Sequence, residues 1–462
     1  MKGISLGIGF WLFVAFRLVG QTPFFYTQGG NGFDAAYAIA SGPNGSFMLL
    51  SGSTWQSNGD IDPFITRIEQ DGTPIWRKTF GLYDSEFPVS LKPTEDGNLI
   101  LASTTFSVPA GQSGDILLTL IDENGSEIWS KIYGFPGIDL PGSVIPISGG
   151  GYMVVATRSN GVSGISGIWI FKLDASGNLQ WDQLYDPGYS GIAEEIVQLA
   201  DGTFLISGNI EENSSQTPQK WLAHMDQDGG FIWEKKITRR GTGSSYSKLL
   251  QTKDEGLLLL ETGGHHAIRK LSLDGSFLWE RETGPAFSMF EDHAQNLIIV
   301  GESANGGDIP TLTKYDKWGE TIWRQELPFT DCEAIDVKQA SDGGYVICGK
   351  CNQDTLGFQT MYAKVSCEGE FISYSCSTVP PLTTLLVYPT LAERHLTIEL
   401  SNPTYSMDYE AEIWDIHGKR ILSNIRLDEG LNQVNTQSLP DGLYFYRVTQ
   451  DSEPWATGKF FR

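Results

Sequence analysis

Two kinds of short hairpin alternate along residues 25 to 376. The first joins a nearly continuous apolar run to a strand carrying tryptophan, as in ILLTLID, ENG and SEIWSKIYG from Ile116 onward. An unbroken apolar run marks a strand covered on both faces, here read as an inner strand. Asn and Gly tolerate the positive φ of a tight hairpin turn. The second kind surrounds a Gly- and Asp-rich turn and occurs seven times, as NGSFMLLSG, DGNLILAS, GGGYMVVAT, DGTFLISG, EGLLLLET, QNLIIVG and DGGYVICG. Read together from Ile116 to Thr157, the two give four antiparallel strands joined in chain order, with tryptophan in the second. Helical periodicity is not found, so the chain reads as all-β.

The tryptophan hairpin sets the period. A Trp follows a Gly by four positions at Trp76, Trp129, Trp181, Trp233, Trp279 and Trp323, with spacings of 53, 52, 52, 46 and 44 residues. That is the range of a four-stranded propeller blade. A seventh copy, CEGEFI, puts Phe371 two residues after its Gly. The hairpin at 44–52 precedes any Trp hairpin, and the one from Phe358 to Tyr374 has no second hairpin after it. Pairing Phe358–Tyr374 with strands near 35–52 is therefore expected to complete one blade and close the ring, removing exposed strand edges. The 352 residues from Phe25 to Cys376 allow about 50 per blade for seven blades. The expected architecture is a seven-bladed β-propeller over 21–376 followed by a small β-sandwich. The repeated Trp is expected to pack between adjacent blades rather than to form a sugar-stacking platform.

The Gly-to-Trp spacing after an apolar strand, as in LDASGNLQW, resembles repeats of the pyrroloquinoline quinone propeller group. The fuller pattern of GG, Asp, DGG and Trp resembles secreted repeat propellers of Bacteroidota. That resemblance implies fold and says little of function.

Beyond 376 the period changes. Residues 377–384, STVPPLTT, carry two adjacent prolines and read as a linker. Residues 385–462 hold about seven short strands with alternation, the pattern of a small β-sandwich. This segment resembles the type A C-terminal sorting domain of the type IX secretion system. The matching residues are Val387, Tyr388 and Pro389, the IWDIHGK run ending in Gly418 and Lys419, then Gly430, Asn432, Leu439, Gly442, Tyr444 and Lys459. Where the family commonly reads Pro-Asn-Pro, this chain has Pro389-Thr390-Leu391. The resemblance implies that residues 385–462 partner the secretion machinery, by way of the periplasm, and are removed as the protein is released or anchored.

The N-terminus points to export. Residues 1–20 combine Lys2 with the apolar stretch Ile4–Phe16, the form of a signal peptide cleaved between Gly20 and Gln21. No later stretch is long and apolar enough to span a bilayer. A formal charge of −24 repels phosphate backbones, so nucleic acid is not an expected partner.

Candidate chemistry is sparse. Loop acids include Asp60, Asp62, Asp115 and Asp308, and carboxylate pairs stand at Glu194–Glu195 and Glu211–Glu212. A glycosidase needs two placed carboxylates, whereas neighbours on a strand point to opposite faces. A quinone enzyme needs a metal and an acid/base group on one face, and nothing in the sequence gathers them. His265–His266 has no accompanying ligand spacing. No catalytic residue, metal site or cofactor is therefore assigned. All five cysteines lie between 332 and 376, and a hairpin turn at 341–344 makes positions summing to about 683 face one another. That places Cys332 beside Cys351 as a candidate disulfide.

The sequence thus reads as a propeller secreted or displayed on the outer cell surface, binding or scaffolding through interblade loops such as 104–115, 158–167, 211–219 and 304–308. Its extracellular ligand, glycan or protein, is unspecified. The alternatives are an extracellular glycoside-active hydrolase and a quinone-type oxidoreductase. Convergent acids over an aromatic floor in the central funnel would favour an enzyme, and scattered acids a binding protein.

Overall fold

The computed structural model describes residues 23–371 except 31, 55–59, 108–113, 160–164, 214–217, 238–245, 255, 263–265, 304–307 and 354–356. It also describes 384–462 except 389–394, 402–408, 418, 428–429 and 451–452. The signal segment with Gly20 and Gln21 lies outside the described residues, as do most of the proposed linker, Pro389 and Gly418. Contacts divide the chain into two compact units, Met1–Ser375 and Cys376–Arg462.

Within the described residues the first unit contains seven four-stranded antiparallel sheets, the blades of a β-propeller. Blade 2 is representative, with strands Glu86–Pro93, Leu99–Thr105, Asp115–Ile121 and Glu127–Tyr133 hydrogen-bonded in that order. Its second and third strands are buried at every position, which is why they read as unbroken apolar runs. Blades 1 and 3–6 span 32–79, 139–185, 190–237, 247–282 and 286–326. The first strands of neighbouring blades touch in a closed sequence, so they are innermost. The run from Ile116 is therefore a third strand and not an inner one, and the Trp strand is the fourth. Each structural blade starts at the Gly/Asp hairpin, half a repeat before the unit read from Ile116.

This phase also changes how the ring closes. The hairpin at 35–52 pairs with the strand Asp62–Ile68 inside blade 1, whose own fourth strand carries Trp76. Blade 7 takes three strands from 332–365 and its fourth from Phe24–Gln28, which runs antiparallel to Gly357–Val365. Gly32 and Phe33 add a two-residue parallel contact to Gly357 and Phe358. The expected pairing with residues 35–52 fails because that hairpin already has a complete blade.

The Gly-x3-Trp repeat is an interlock between blades. Each Gly lies at positive φ in its hairpin turn, and a Cβ there would run into the Trp of the preceding blade: Gly125 meets Trp76, Gly177 meets Trp129, and Gly229, Gly275, Gly319 and Gly369 meet the next four. Three indole Nε1 groups, of Trp76, Trp129 and Trp233, donate to main-chain oxygens of the receiving turn. The packing reading of the Trp series matches this arrangement. Gly72, the first in the series, is covered by Phe24 and Tyr26 of the closing strand. Two aromatics thus stand where the Trp missing from CEGEFI would be.

The core follows the same logic. Among the described residues it is divided into seven apolar clusters, each drawn from two adjacent blades, such as Ile145 to Ile170 with Ala193 to Met225 at the 3/4 seam.

The second unit is a β-sandwich. Strands Thr384–Tyr388, His395–Ser401 and Gly430–Asn435 form one sheet, and Arg420–Arg426, Tyr409–Asp415, Leu443–Gln450 and Glu453–Phe461 the other. Leu396, Ile398, Ile413, Leu439, Tyr444, Val448 and Phe460 fill its core.

Candidate binding face and axial ring

Six first strands carry a β-bulge at the same register, and the residue after it faces the axis region. With Lys248 of blade 5 at the equivalent pairing, these positions are Ala38, Ser90, Ser143, Glu195, Lys248, Ser288 and Asp336. Side chains link five of them in two groups, Ser143–Glu195–Lys248 and Ser288–Asp336. Ser143 donates to Glu195 at 2.7 Å, and Lys248 pairs with Glu195 at 3.0 Å. Lys92 of blade 2 also reaches Glu195 of blade 4, at 3.6 Å, so the innermost strands approach closely. Ser288 donates to Asp336 at 2.6 Å and the Ile39 amide at 3.0 Å, with Lys338 at 3.8 Å.

Burial opposes ionisation of Glu195, but Lys248, Lys92 and Ser143 outweigh it and hold its pKa at about 2. Glu195 in turn raises Lys248 despite desolvation. For Asp336, burial is overcome by Lys338, Ser288 and the Ile39 amide, which keep it below the usual carboxylate range. Both ring acids are therefore held in the ionised form beside cations, a form that has no proton to donate.

Of the sequence-selected acids only Glu195 stands on that ring. Glu194 is the bulged residue and turns away from Glu195, bonding Lys220 at 2.5 Å, Asn209 at 2.5 Å and Ser247. Glu212 pairs with Lys236 on the surface. Asp62 faces Glu86 at the 1/2 seam and Asp115 is near Asp139 at the 2/3 seam. Asp308 lies beside Glu302 and Glu333 near blade 7. His265 falls outside the described residues, while the His266 carbonyl accepts the Thr283 amide. Among the described residues no group of three or more His, Cys, Asp and Glu is arranged to hold a metal.

Cys332 and Cys351 are disulfide-bonded, as facing residues of the first two strands of blade 7. The register near the turn pairs Gln339 with Tyr345, and the bulge between Ala334 and Asp336 shifts it by one to bring the two cysteines together. In blades 1 and 2 the equivalent pairs are Asp34–Ser53 and Glu86–Thr105, each joined by a hydroxyl-to-carboxylate hydrogen bond. Cys348 is buried in the 7/1 seam, where desolvation raises its thiol pKa.

A feature missed from sequence is an apolar patch on one end of the propeller. The loops 104–115, 158–167, 211–219 and 304–308 each join second to third strands and so share that end. There Phe87 and Phe106 meet edge to face at 5.8 Å, and Gly114 lies against Phe106 and Ile138. The Tyr83 amide donates to Ser107 beside Phe106. Leu82, Tyr83, Phe87, Phe106, Ile138, Leu140 and Ile192 are all exposed, Tyr83 by 73%. Phe87, Leu140 and Ile192 hold the same register, one before the bulge partner of blades 2, 3 and 4. The signal was present in EFPVS, IDLPG and GIAEE, where an apolar residue stands in the exposed phase of an inner strand.

In the second unit Tyr444 donates its hydroxyl to the Pro440 carbonyl at 2.8 Å, and Leu439 is buried beside it. Gly442 and Arg462 exchange two backbone hydrogen bonds, and Asp415 caps the turn that carries Lys419. Gly430 begins the strand that pairs with His395–Ser401, Lys459 faces Phe445, and Tyr388 faces Thr397.

The family model of the secretion system C-terminal sorting domain matches residues 386–461. The tail is thus a type IX sorting domain, and the protein is secreted to the cell surface or medium. No helix of the described residues is long and apolar enough to cross a membrane. No curated protein matches the chain. Among solved structures, the chain is similar to a protein of unknown function from Dyadobacter fermentans, at 12% identity, TM-score 0.46, covering 74% of this chain and 97% of that one. The β-propeller domain of the Trilobed protease from Pyrococcus furiosus, with an open velcro topology, gives 10% identity, TM-score 0.44 and coverage of 75% and 99%. Prolyl oligopeptidase B from Galerina marginata gives 9% identity, TM-score 0.47 and coverage of 92% and 56%.

Proposed function

We propose that the protein is a non-catalytic binding propeller, delivered outside the cell by its tail, which engages a protein or peptide partner through the apolar face of blades 2–4. The observation that carries this is the run of exposed Phe87, Leu140 and Ile192 at one register, extended by Leu82, Tyr83, Phe106 and Ile138. Contiguous exposed apolar surface rimmed by polar residues marks interaction sites. The mix is mostly aliphatic and edge-on phenyl, which fits a protein surface better than the flat aromatic floor a sugar ring stacks on. The ion-paired state of Glu195 and Asp336 supports binding over hydrolysis. The sorting tail is read as the type A form, in a Bacteroidota-type exported protein, and the disulfide Cys332–Cys351 as a staple suited to an oxidising exterior.

The test is a protein and glycan array probed with the exported chain and with a Phe87→Ser/Leu140→Ser variant. A protein ligand bound by the first and lost by the second supports the reading. Glycan binding that survives the double change, or turnover of a glycan, would sink it.

A further inference from the structure

At the 2/3 seam two acids are brought together by the backbone. The Asp139 amide donates to the Gly114 carbonyl at 2.9 Å, which sets Asp139 beside Asp115. Both side chains are buried, at 0% and 4% exposure, and Oδ1 of each has no hydrogen-bond partner. The other Asp139 oxygen accepts the Phe135 amide at 2.6 Å. Neighbouring seams show how unusual this is. Asp34 and Glu86 each gain a cross-strand hydroxyl on the oxygen that Asp139 leaves unpartnered. Asp139 instead faces Arg158 across the strands, and that guanidinium lies over the Phe135 ring at 3.4 Å. Gly134 leaves space against the Asp115 carboxylate, since any Cβ there would strike it.

Two desolvated anionic oxygens with no donor are costly, and a third party is expected to satisfy them. A hard cation does so, and calcium accepts mixed sets of carboxylate, main-chain carbonyl and water where magnesium demands regular octahedra. We propose that Asp115 and Asp139 bind a calcium-class divalent cation, completed by main-chain oxygens and water, at the seam between blades 2 and 3. The cation would lie beneath Ile138 and Leu140 and brace the inner strand that presents them. The site stands on the orphaned oxygens and does not depend on what the face above it binds.

The test uses the exported full chain stripped with EGTA, with calcium chloride as the only added ligand at pH 7.5. Calorimetric titration should find a site with Kd on the order of 10⁻⁴–10⁻³ M, as in extracellular calcium modules. Millimolar calcium should raise Tm by several degrees. Asp115→Asn should lose that equivalent and that rise, while its metal-free form melts no lower than the metal-free wild type, because like-charge repulsion is relieved. If Asp115→Asn fails to fold, Asp139→Asn and the wild-type titration carry the test. Identical wild-type melting in calcium and EGTA would overturn the proposal, as would an undiminished response in the variants. A calcium-blind wild type whose Tm climbs as pH falls through 6 would assign the pair a shared proton instead.

Discussion

Truncating Phe24 tests whether the N-terminal strand is a structural member of the ring or a loose appendage. Phe24 is 7% exposed and belongs to the 7/1 seam with Ala36, Ile39, Leu49, Val346 and Tyr362. Its ring meets Tyr362 edge-on at 6.1 Å and Tyr26 at 5.6 Å, and with Tyr26 it covers Gly72. Deleting a buried phenyl from such a site costs about 3–5 kcal/mol, from lost transfer energy and the cavity left behind. At roughly 2 °C per kcal/mol for a large domain, Phe24→Ala should lower the propeller's Tm by about 6–10 °C. The assay is calorimetry of the exported chain, with Tyr26→Phe as a control that keeps the ring contacts and should melt within about 1 °C of wild type. Near-ultraviolet dichroism would report whether Tyr362 loses its fixed environment. A Phe24→Ala protein that melts with wild type would refute the closing role given to this strand.

Three further outcomes follow from other contacts. Replacing Cys332 and Cys351 by serine opens a crosslink of sequence separation 19, and chain entropy puts the loss at about 3 kcal/mol, measurable as a lower denaturant midpoint. Asp62 is pushed up to about 6 by burial and by Glu86, and Asp139 to about 6 chiefly by burial. The folded state therefore holds these protons more tightly, so metal-free stability is fullest below the unfolded pKa and falls as pH rises through 6. Asp62→Asn should flatten part of that slope in urea titrations from pH 4 to 8. Deleting residues 385–462 should leave the propeller's Tm within about 1 °C, since its seams are complete without them, yet abolish surface delivery in a type IX-competent host. A truncated chain found on the surface would contradict the sorting role.

The fold was legible because each blade repeats one physical solution. Buried second and third strands print unbroken apolar runs such as LILAST and ILLTLI, and positive-φ turns print the glycines. The tail was legible for a different reason, since residues 386–461 match a family's pattern as a whole. Phase was harder to see. A repeat has no marked beginning in sequence, and the closed contacts of the first strands, with the pairing of Phe24–Gln28 to Gly357–Val365, show where a blade starts. The Cys332–Cys351 pairing was reached through a register that omitted the bulge, which happens to act in the direction that brings the two together. The Asp115–Asp139 pair was invisible because its members come from different blades, and nothing local to Asp115 signals a partner across a seam.

The closing strand also fixes the order in which the molecule can be finished. Gly30 and its partner Gln359 are 329 residues apart, so the strand before blade 1 waits for the strands of blade 7. Until then the edge of Gly357–Val365 is an unpaired template with a groove shaped for two aromatic rings. Contacts so distant in sequence form slowly, because the loop must close before any reward is gained. During that interval the N-terminal strand of a second copy is chemically identical to the chain's own. Crowded nascent chains can therefore become linked through exchanged first strands, and dilution at the moment of folding selects the self-closed ring.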